Sequence, residues 1–171
     1  VRSYKIRGAL NAMRHVLEAT PNQDLFVAAS AGNHAQGVAF ACKHFGKRGR
    51  IFMPVTTPAQ KIDKTKVFGG DTVEIVLTGD YFDDTLAAAK SFCAAEGGHF
   101  LSPFDDPDVI AGQSTVAEEM MSQLGRTPDV IVLPVGGGGL SSGVLSYLRT
   151  ANLDTQVVLV EPEGGASLSA A

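Results

Sequence analysis

Short apolar runs alternate along this chain with longer stretches in which apolar residues recur at helical spacing. Apolar runs of this length are typical of strands that are buried on both faces of a sheet. They predict strands at 25–29, 50–53, 72–76, 99–101, 130–135 and 157–161. The longer stretches predict helices at about 5–18, 33–45, 58–68, 81–96, 109–124 and 140–150. This alternation of strand and helix indicates an α/β fold, with a largely parallel sheet covered on both faces.

Residues 102–107, Ser-Pro-Phe-Asp-Asp-Pro, interrupt the pattern with two prolines and two aspartates. Such a cluster is typical of a loop or a domain boundary. We therefore predict one domain over residues 1–102 and the first part of a second domain over residues 103–171.

Composition narrows the possible classes of function. Hydrophobic residues make up 44% of the chain, and no apolar run approaches the roughly 20 residues that span a bilayer, so we expect no membrane segment. The formal charge of -4 and the lack of a Lys/Arg cluster argue against a nucleic-acid partner. Cys42 and Cys93 belong to no Cys-x-x-Cys pair, and we interpret both as core thiols. We expect a cytoplasmic protein.

A run of four glycines, Gly136 to Gly139, lies between an apolar run and a helix-like stretch. The order of strand, glycine turn and helix is typical of phosphate-binding loops. The loop lacks the spacing of a dinucleotide fingerprint and the Gly-Lys-Ser/Thr ending of a P-loop, so it predicts a phosphate rather than a nucleotide. The alternative is a tight turn between strand and helix, which explains one or two glycines better than four.

Lys5 lies between Tyr4 and Ile6 at the start of a predicted helix. Apolar and aromatic neighbours lower the pKa of a lysine and favour its neutral, nucleophilic form, which can form a Schiff base with an aldehyde. The alternative is a solvated surface charge, which is the usual state of a lysine. The other motifs of the chain favour the interpretation of Lys5 as a reactive lysine.

Three motifs in a fixed order resemble the signature of the fold-type II pyridoxal phosphate enzymes, the tryptophan synthase β-like fold. They are Ser-Tyr-Lys-Ile-Arg-Gly-Ala at 3–9, Ser-Ala-Gly-Asn-His-Ala at 30–35 and the glycines at 136–139. Within that group the chain resembles the threonine dehydratases (threonine ammonia-lyases) over essentially its whole length. The resemblance implies two three-layer αβα domains with parallel sheets and a cofactor in the cleft between them. It also implies that the chain holds the small domain and only part of the large one, and that it is truncated at both ends.

The resemblance implies roles for particular residues. Lys5 would hold pyridoxal 5'-phosphate and, once released, remove the substrate's α-proton. The implied cofactor-binding residues are Tyr4, Lys5, Asn33, Gly136, Gly137, Gly138, Gly139 and Leu140. The implied substrate-binding residues are Ser30, Ala31, Gly32, Asn33 and His34.

For three of these residues an alternative stays open. Tyr4 could simply pack in the core, and Asn33 could cap a helix rather than bind the cofactor's 3-hydroxyl. We interpret His34 as a structural hydrogen-bonding residue rather than a catalytic base, although the sequence identifies no partner for it.

The implied activity is conversion of L-threonine to 2-oxobutanoate and ammonia, the first step of isoleucine biosynthesis. The alternatives are L-serine dehydration, threonine synthase chemistry, racemisation, and an inactive binding-domain relative. Ala31 disfavours racemisation, because related serine racemases carry a serine base at this position. The resemblance also implies a homodimer or homotetramer, with a small amino acid, L-threonine or L-serine, as the substrate.

The segment from Glu161 to Ser167 resembles the place where some relatives bind a cation through a carboxylate and backbone oxygens. The last ligand in those relatives is acidic, whereas Ser167 stands here. We therefore expect no metal, with Glu161 as a weak candidate ligand only.

Overall fold

A computed structural model describes residues 1–170, which divide into two compact units. The first unit is Val1–Pro103 and the second begins at Phe104. The division falls within the segment in which two prolines interrupt the periodic pattern.

The first unit is a parallel four-stranded sheet with the strand order β3-β2-β1-β4. Its helices are α1 (Lys5–Ala19), α2 (Asn33–Phe45), α3 (Ala59–Gly69) and α4 (Phe82–Glu96). Its strands are β1 (Leu25–Ala29), β2 (Arg48–Met53), β3 (Val73–Leu77) and β4 (His99–Phe100), and a short 3-10 helix at Gly70–Thr72 precedes β3. The prediction of an α/β fold with parallel strands is thereby confirmed.

Strand β1 lies inside this sheet, between β2 and β4. All five of its residues are buried, as the unbroken apolar run predicts. Leu25, Val27 and Ala29 pack with Ala89 and Cys93 of α4 on one face of the sheet. Burial of each large apolar side chain stabilises the unit by about 1.5–3 kcal/mol, so β1 forms a rigid base for the loop that follows it.

The second unit contains helices α5 (Pro107–Leu124) and α6 (Gly139–Thr150) and strands β5 (Val130–Pro134) and β6 (Gln156–Val160). The two strands pair in parallel, and a 3-10 helix at Glu163–Gly165 follows them. Helix α5 begins two residues before the predicted start at 109. The reason is local, because Pro107 occupies the first turn and the Asp106 side chain accepts hydrogen bonds from the amides of Asp108 and Val109, at 2.8 and 3.0 Å.

Helices α5 and α6 approach each other closely at Gly143. A Cβ at this position would lie 2.7 Å from the Ile110 carbonyl oxygen and 2.8 Å from the Ser114 nitrogen. Ser114 itself turns its hydroxyl onto its own helix and donates to the Ala111 carbonyl at 2.6 Å. Helices α5 and α6 can therefore lie this close because Gly143 has no side chain.

Cys42 and Cys93 are free and buried, which confirms their interpretation as core thiols. Within residues 1–170, no helix is both long enough and apolar enough to cross a membrane.

Candidate active site

Lys5 is the first residue of α1, and its side chain is half-buried. Its Nζ donates a hydrogen bond to the carbonyl oxygen of Pro103 at 2.5 Å and lies 5.5 Å from the centre of the Tyr4 ring. Burial lowers the pKa of the Lys5 amine and raises the pKa of the Tyr4 hydroxyl. The amine is therefore shifted towards its neutral, nucleophilic form.

The loop at 30–32 connects the end of β1 to the start of α2. The Ser30 hydroxyl oxygen accepts a hydrogen bond from the Gly32 amide at 3.1 Å, and Ala31 is half-buried beside it. Gly32 is the N-cap residue of α2, and no side chain among residues 1–170 caps this helix end. The first amides of α2 are thus left for an anion, such as a substrate carboxylate.

Asn33 is the first residue inside α2 and is exposed. Its interpretation as the helix N-cap is wrong, because Gly32 occupies that position. The amide of Asn33 remains able both to donate and to accept hydrogen bonds.

His34 is buried, with 3% of its surface exposed. Its Nε2 lies 2.9 Å from the carbonyl oxygen of Leu101, a partner that is 67 residues away in the sequence. Burial is the main cause that lowers the pKa of His34 from 6.5 to about 4. The Leu101 hydrogen bond opposes that change, and the charge of Lys5 adds to it. His34 is therefore neutral near pH 7. Because it is buried, it is poorly suited to accept a proton from a substrate.

Gly37 lies one turn beyond His34 on α2. A Cβ at Gly37 would come within 3.2 Å of the Lys5 carbonyl and the Ile6 nitrogen. A side chain at this position would therefore press on the backbone of the candidate nucleophile, which Gly37 avoids.

The first unit thus brings together Lys5, Tyr4 and the 30–34 loop. Sequence reasoning missed two contributors, namely Gly37 and the segment Leu101–Pro103. The segment contributes through backbone carbonyls, which leave no mark in the residue pattern. Gly37 directly follows Asn-His-Ala-Gln in the sequence. The sequence shows the glycine there but not its contact with the Lys5 backbone.

The glycine run lies in the second unit, between β5 and α6. Phe104 covers it, since a Cβ on Gly137 would overlap the Phe104 ring and one on Gly139 would lie 2.9 Å from the Phe104 Cα. Gly138 is the N-cap of α6 and has a φ of 80°, which a residue with a side chain rarely adopts. Leu140 packs its side chain towards the core formed by α5, α6 and the strands, so only its backbone amide is left for a ligand.

Gly136 differs from the other three glycines. A Cβ here would meet nothing within 4 Å, and its φ is not in the left-handed region. The fold alone therefore explains Gly137 to Gly139 but not Gly136. No side chain among the described residues caps α6, so the open space at Gly136 and the free helix amides together fit a phosphate.

The Glu161 carboxylate binds the turn at residues 167–170. It accepts hydrogen bonds from the amides of Leu168 and Ser169, at 2.6 and 3.0 Å, and from the hydroxyls of Ser167 and Ser169. The Leu168 amide is the main cause that lowers the pKa of Glu161. Residues 1–170 contain no group of three or more His, Cys, Asp or Glu side chains placed to bind a metal ion.

Comparison with known proteins identifies the family of the chain. The family model described as "pyridoxal-phosphate dependent enzyme" matches residues 1–171. The chain is 51% identical to the biosynthetic L-threonine dehydratase IlvA of Bacillus subtilis over 167 residues, which cover 98% of this chain and 39% of that protein. It therefore spans well under half of that relative's length.

Two solved structures are similar in fold. The processed form of threonine deaminase isoform 2 from Solanum lycopersicum has a TM-score of 0.88 and 40% identity, over 98% of this chain and 48% of its own. A pyridoxal 5'-phosphate-dependent aspartate racemase has a TM-score of 0.88 and 36% identity, over 95% of this chain and 48% of its own. These likenesses confirm the predicted fold class.

Proposed function

Because the chain belongs to the family of pyridoxal-phosphate dependent enzymes, we propose that the protein carrying it is an L-threonine dehydratase. The reaction converts L-threonine to 2-oxobutanoate and ammonia, with loss of the β-hydroxyl as water and uptake of one water. The observation that supports this chemistry is the half-buried Lys5 amine, whose pKa is lowered by burial. Similarity to the Bacillus subtilis enzyme supports the choice of substrate.

The chain's residues fit the cofactor at two places, each within its own unit. Lys5 would bind the aldehyde carbon through Nζ, and the backbone amides from Gly136 to Leu140 would bind the phosphate. When bound, pyridoxal phosphate supplies an electron sink that stabilises negative charge at the α-carbon of an amino acid. Asn33 would hydrogen-bond the cofactor's hydroxyl, and Tyr4 would pack beside it.

Substrate binding is assigned to the 30–34 loop. The amides at the start of α2, which no side chain among residues 1–170 caps, and the Ser30 hydroxyl proton would bind the substrate carboxylate. Once the substrate's amino group has displaced Lys5 from the aldehyde carbon, the freed Lys5 amine would take the α-proton, and the β-hydroxyl would leave as water. Ala31 offers no group that could return a proton from the opposite face, so the loop favours elimination over racemisation.

We place the reaction at the start of isoleucine biosynthesis, in the cytoplasm, in a homodimer or homotetramer. L-Serine, which differs from L-threonine by one methyl group, is the closest alternative substrate.

The test is release of keto acid from L-threonine and from L-serine by the purified full-length protein with pyridoxal phosphate. Lys5→Ala should abolish release, whereas the matched control Lys66→Ala, which alters an exposed lysine on α3, should leave it unchanged. If a protein with bound cofactor releases no keto acid from either substrate, the dehydratase assignment is wrong. If it consumes L-serine alone, the reaction class stands and the substrate is corrected.

A further inference from the structure

The segment Leu101–Pro103 is held by three hydrogen bonds from three different elements. The Leu101 amide donates to the Val27 carbonyl of β1 at 2.8 Å. The Leu101 carbonyl accepts from His34 Nε2, and the Pro103 carbonyl accepts from Lys5 Nζ. Leu101 is fully buried, so this segment has a fixed position relative to the sheet.

The contact with Leu101 defines the tautomer of His34. A carbonyl oxygen only accepts hydrogen bonds, so Nε2 must carry the proton and Nδ1 must be bare. Nδ1 is buried and has no hydrogen-bond partner among residues 1–170. An unsatisfied buried nitrogen is destabilising, and an apolar side chain of similar size would avoid it. Packing alone is therefore a poor reason for a histidine at this position.

The surroundings of Lys5 supply a better reason. Its amine faces the Tyr4 ring, and the charge of that amine contributes to lowering the pKa of His34. On the same face of α2, Gly37 lies against the Lys5 backbone, one turn after His34. Two residues on one face of α2 thus bear on Lys5. Gly37 lies against the Lys5 backbone, and His34 binds the segment Leu101–Pro103 that accepts the hydrogen bond of the Lys5 amine.

We propose that His34 is a positioning residue for the Lys5 amine, which it acts on by fixing the segment whose Pro103 carbonyl accepts the Nζ hydrogen bond. Without the His34 donor, the buried Leu101 carbonyl would lose its partner and the segment would move. Loss of the Pro103 acceptor disfavours the protonated Lys5 amine, but better solvation of the amine favours it, and relief of the burial that lowers the Lys5 pKa is the larger effect. The inference rests on the proposed role of Lys5 but not on the identity of the substrate.

The test follows the reaction of Lys5 with added pyridoxal phosphate by absorbance, in the full-length protein freed of cofactor, as a function of pH. His34→Gln keeps an amide donor at about the reach of Nε2, whereas His34→Asn is shorter by one carbon–carbon bond. His34→Leu removes the donor at similar volume and replaces the Asn variant if that protein does not fold. Val38→Ala, at a fully buried position on the same helix, controls for general destabilisation of α2.

We expect the wild type, His34→Gln and Val38→Ala to share one pH profile. His34→Asn and His34→Leu should shift the profile by about one pH unit towards alkaline pH, which lowers the rate at pH 7 about tenfold. Profiles that match the wild type in both His34→Asn, whose donor is too short to reach Leu101, and His34→Leu, which has no donor, would overturn the proposal, as would a His34→Gln profile that moves with them. Failure to dehydrate L-threonine leaves this readout intact, so the two proposals fail separately.

Discussion

Acidification should destabilise this protein through His34, by an amount that follows from its burial. The pKa of His34 lies at about 4 in the folded state, against 6.5 for an ordinary histidine. Between these values the unfolded chain binds a proton that the folded chain does not bind, so stability falls as the pH is lowered. At about 1.4 kcal/mol for each pH unit, the loss between pH 6.5 and pH 4 amounts to about 3 kcal/mol. Above pH 6.5 the contribution is fully present.

The assay is urea unfolding of the wild type and His34→Gln at a series of pH values from 4 to 7.5. Carboxylates titrate in both proteins and cancel in the difference, whereas glutamine does not titrate. The advantage of the wild type over His34→Gln should therefore shrink by about 3 kcal/mol from pH 7 to pH 4. His44→Gln, which replaces an exposed imidazole on the same helix, serves as the matched control for the change from histidine to glutamine. A difference between wild type and His34→Gln that does not vary with pH would refute the reasoning.

Further predictions concern the second unit. Gly143→Ala should lower the free energy of unfolding by about 1–3 kcal/mol, because its Cβ would lie within 2.8 Å of backbone atoms of α5; a urea midpoint equal to that of the wild type would contradict this. Gly136→Ala should change stability by less than about 0.5 kcal/mol, since its Cβ meets nothing, but should weaken pyridoxal phosphate binding several-fold in an absorbance titration. Unaltered cofactor affinity would remove Gly136 from the phosphate site. Asp106→Ala should lower stability by about 1 kcal/mol through loss of the α5 cap, and thermal unfolding would detect it, whereas an unchanged midpoint would show that the cap contributes little.

The sequence best predicted the helices and strands whose limits are set by neighbouring residues. Strand β1 and helix α2 begin and end at the predicted residues, because an unbroken apolar run and an amphipathic stretch with a terminal glycine define their limits. The start of α5 was missed by two residues, because the cap of Asp106 extends the helix beyond its apolar pattern.

For the site, the motifs predicted roles for Lys5, the 30–34 loop and the glycine run. They could not identify what holds Lys5 in place. The groups that bind Lys5 and His34 are the backbone carbonyls of Pro103 and Leu101, and every residue type has such a carbonyl. Leu101 also lies 67 positions from His34 in the sequence. Contacts of this kind depend on how strands β1 and β4 bring distant segments side by side, which a local pattern does not encode.

Pro103 and Phe104 are neighbours in the chain, and the boundary between the two units falls between them. Linkers between compact units usually tolerate substitution and insertion. Here the last residue of one unit binds the Lys5 amine, and the first residue of the next covers the glycine run. No residue separates the two contacts, so an insertion or deletion between Pro103 and Phe104 should be tolerated poorly, unlike one in an ordinary linker.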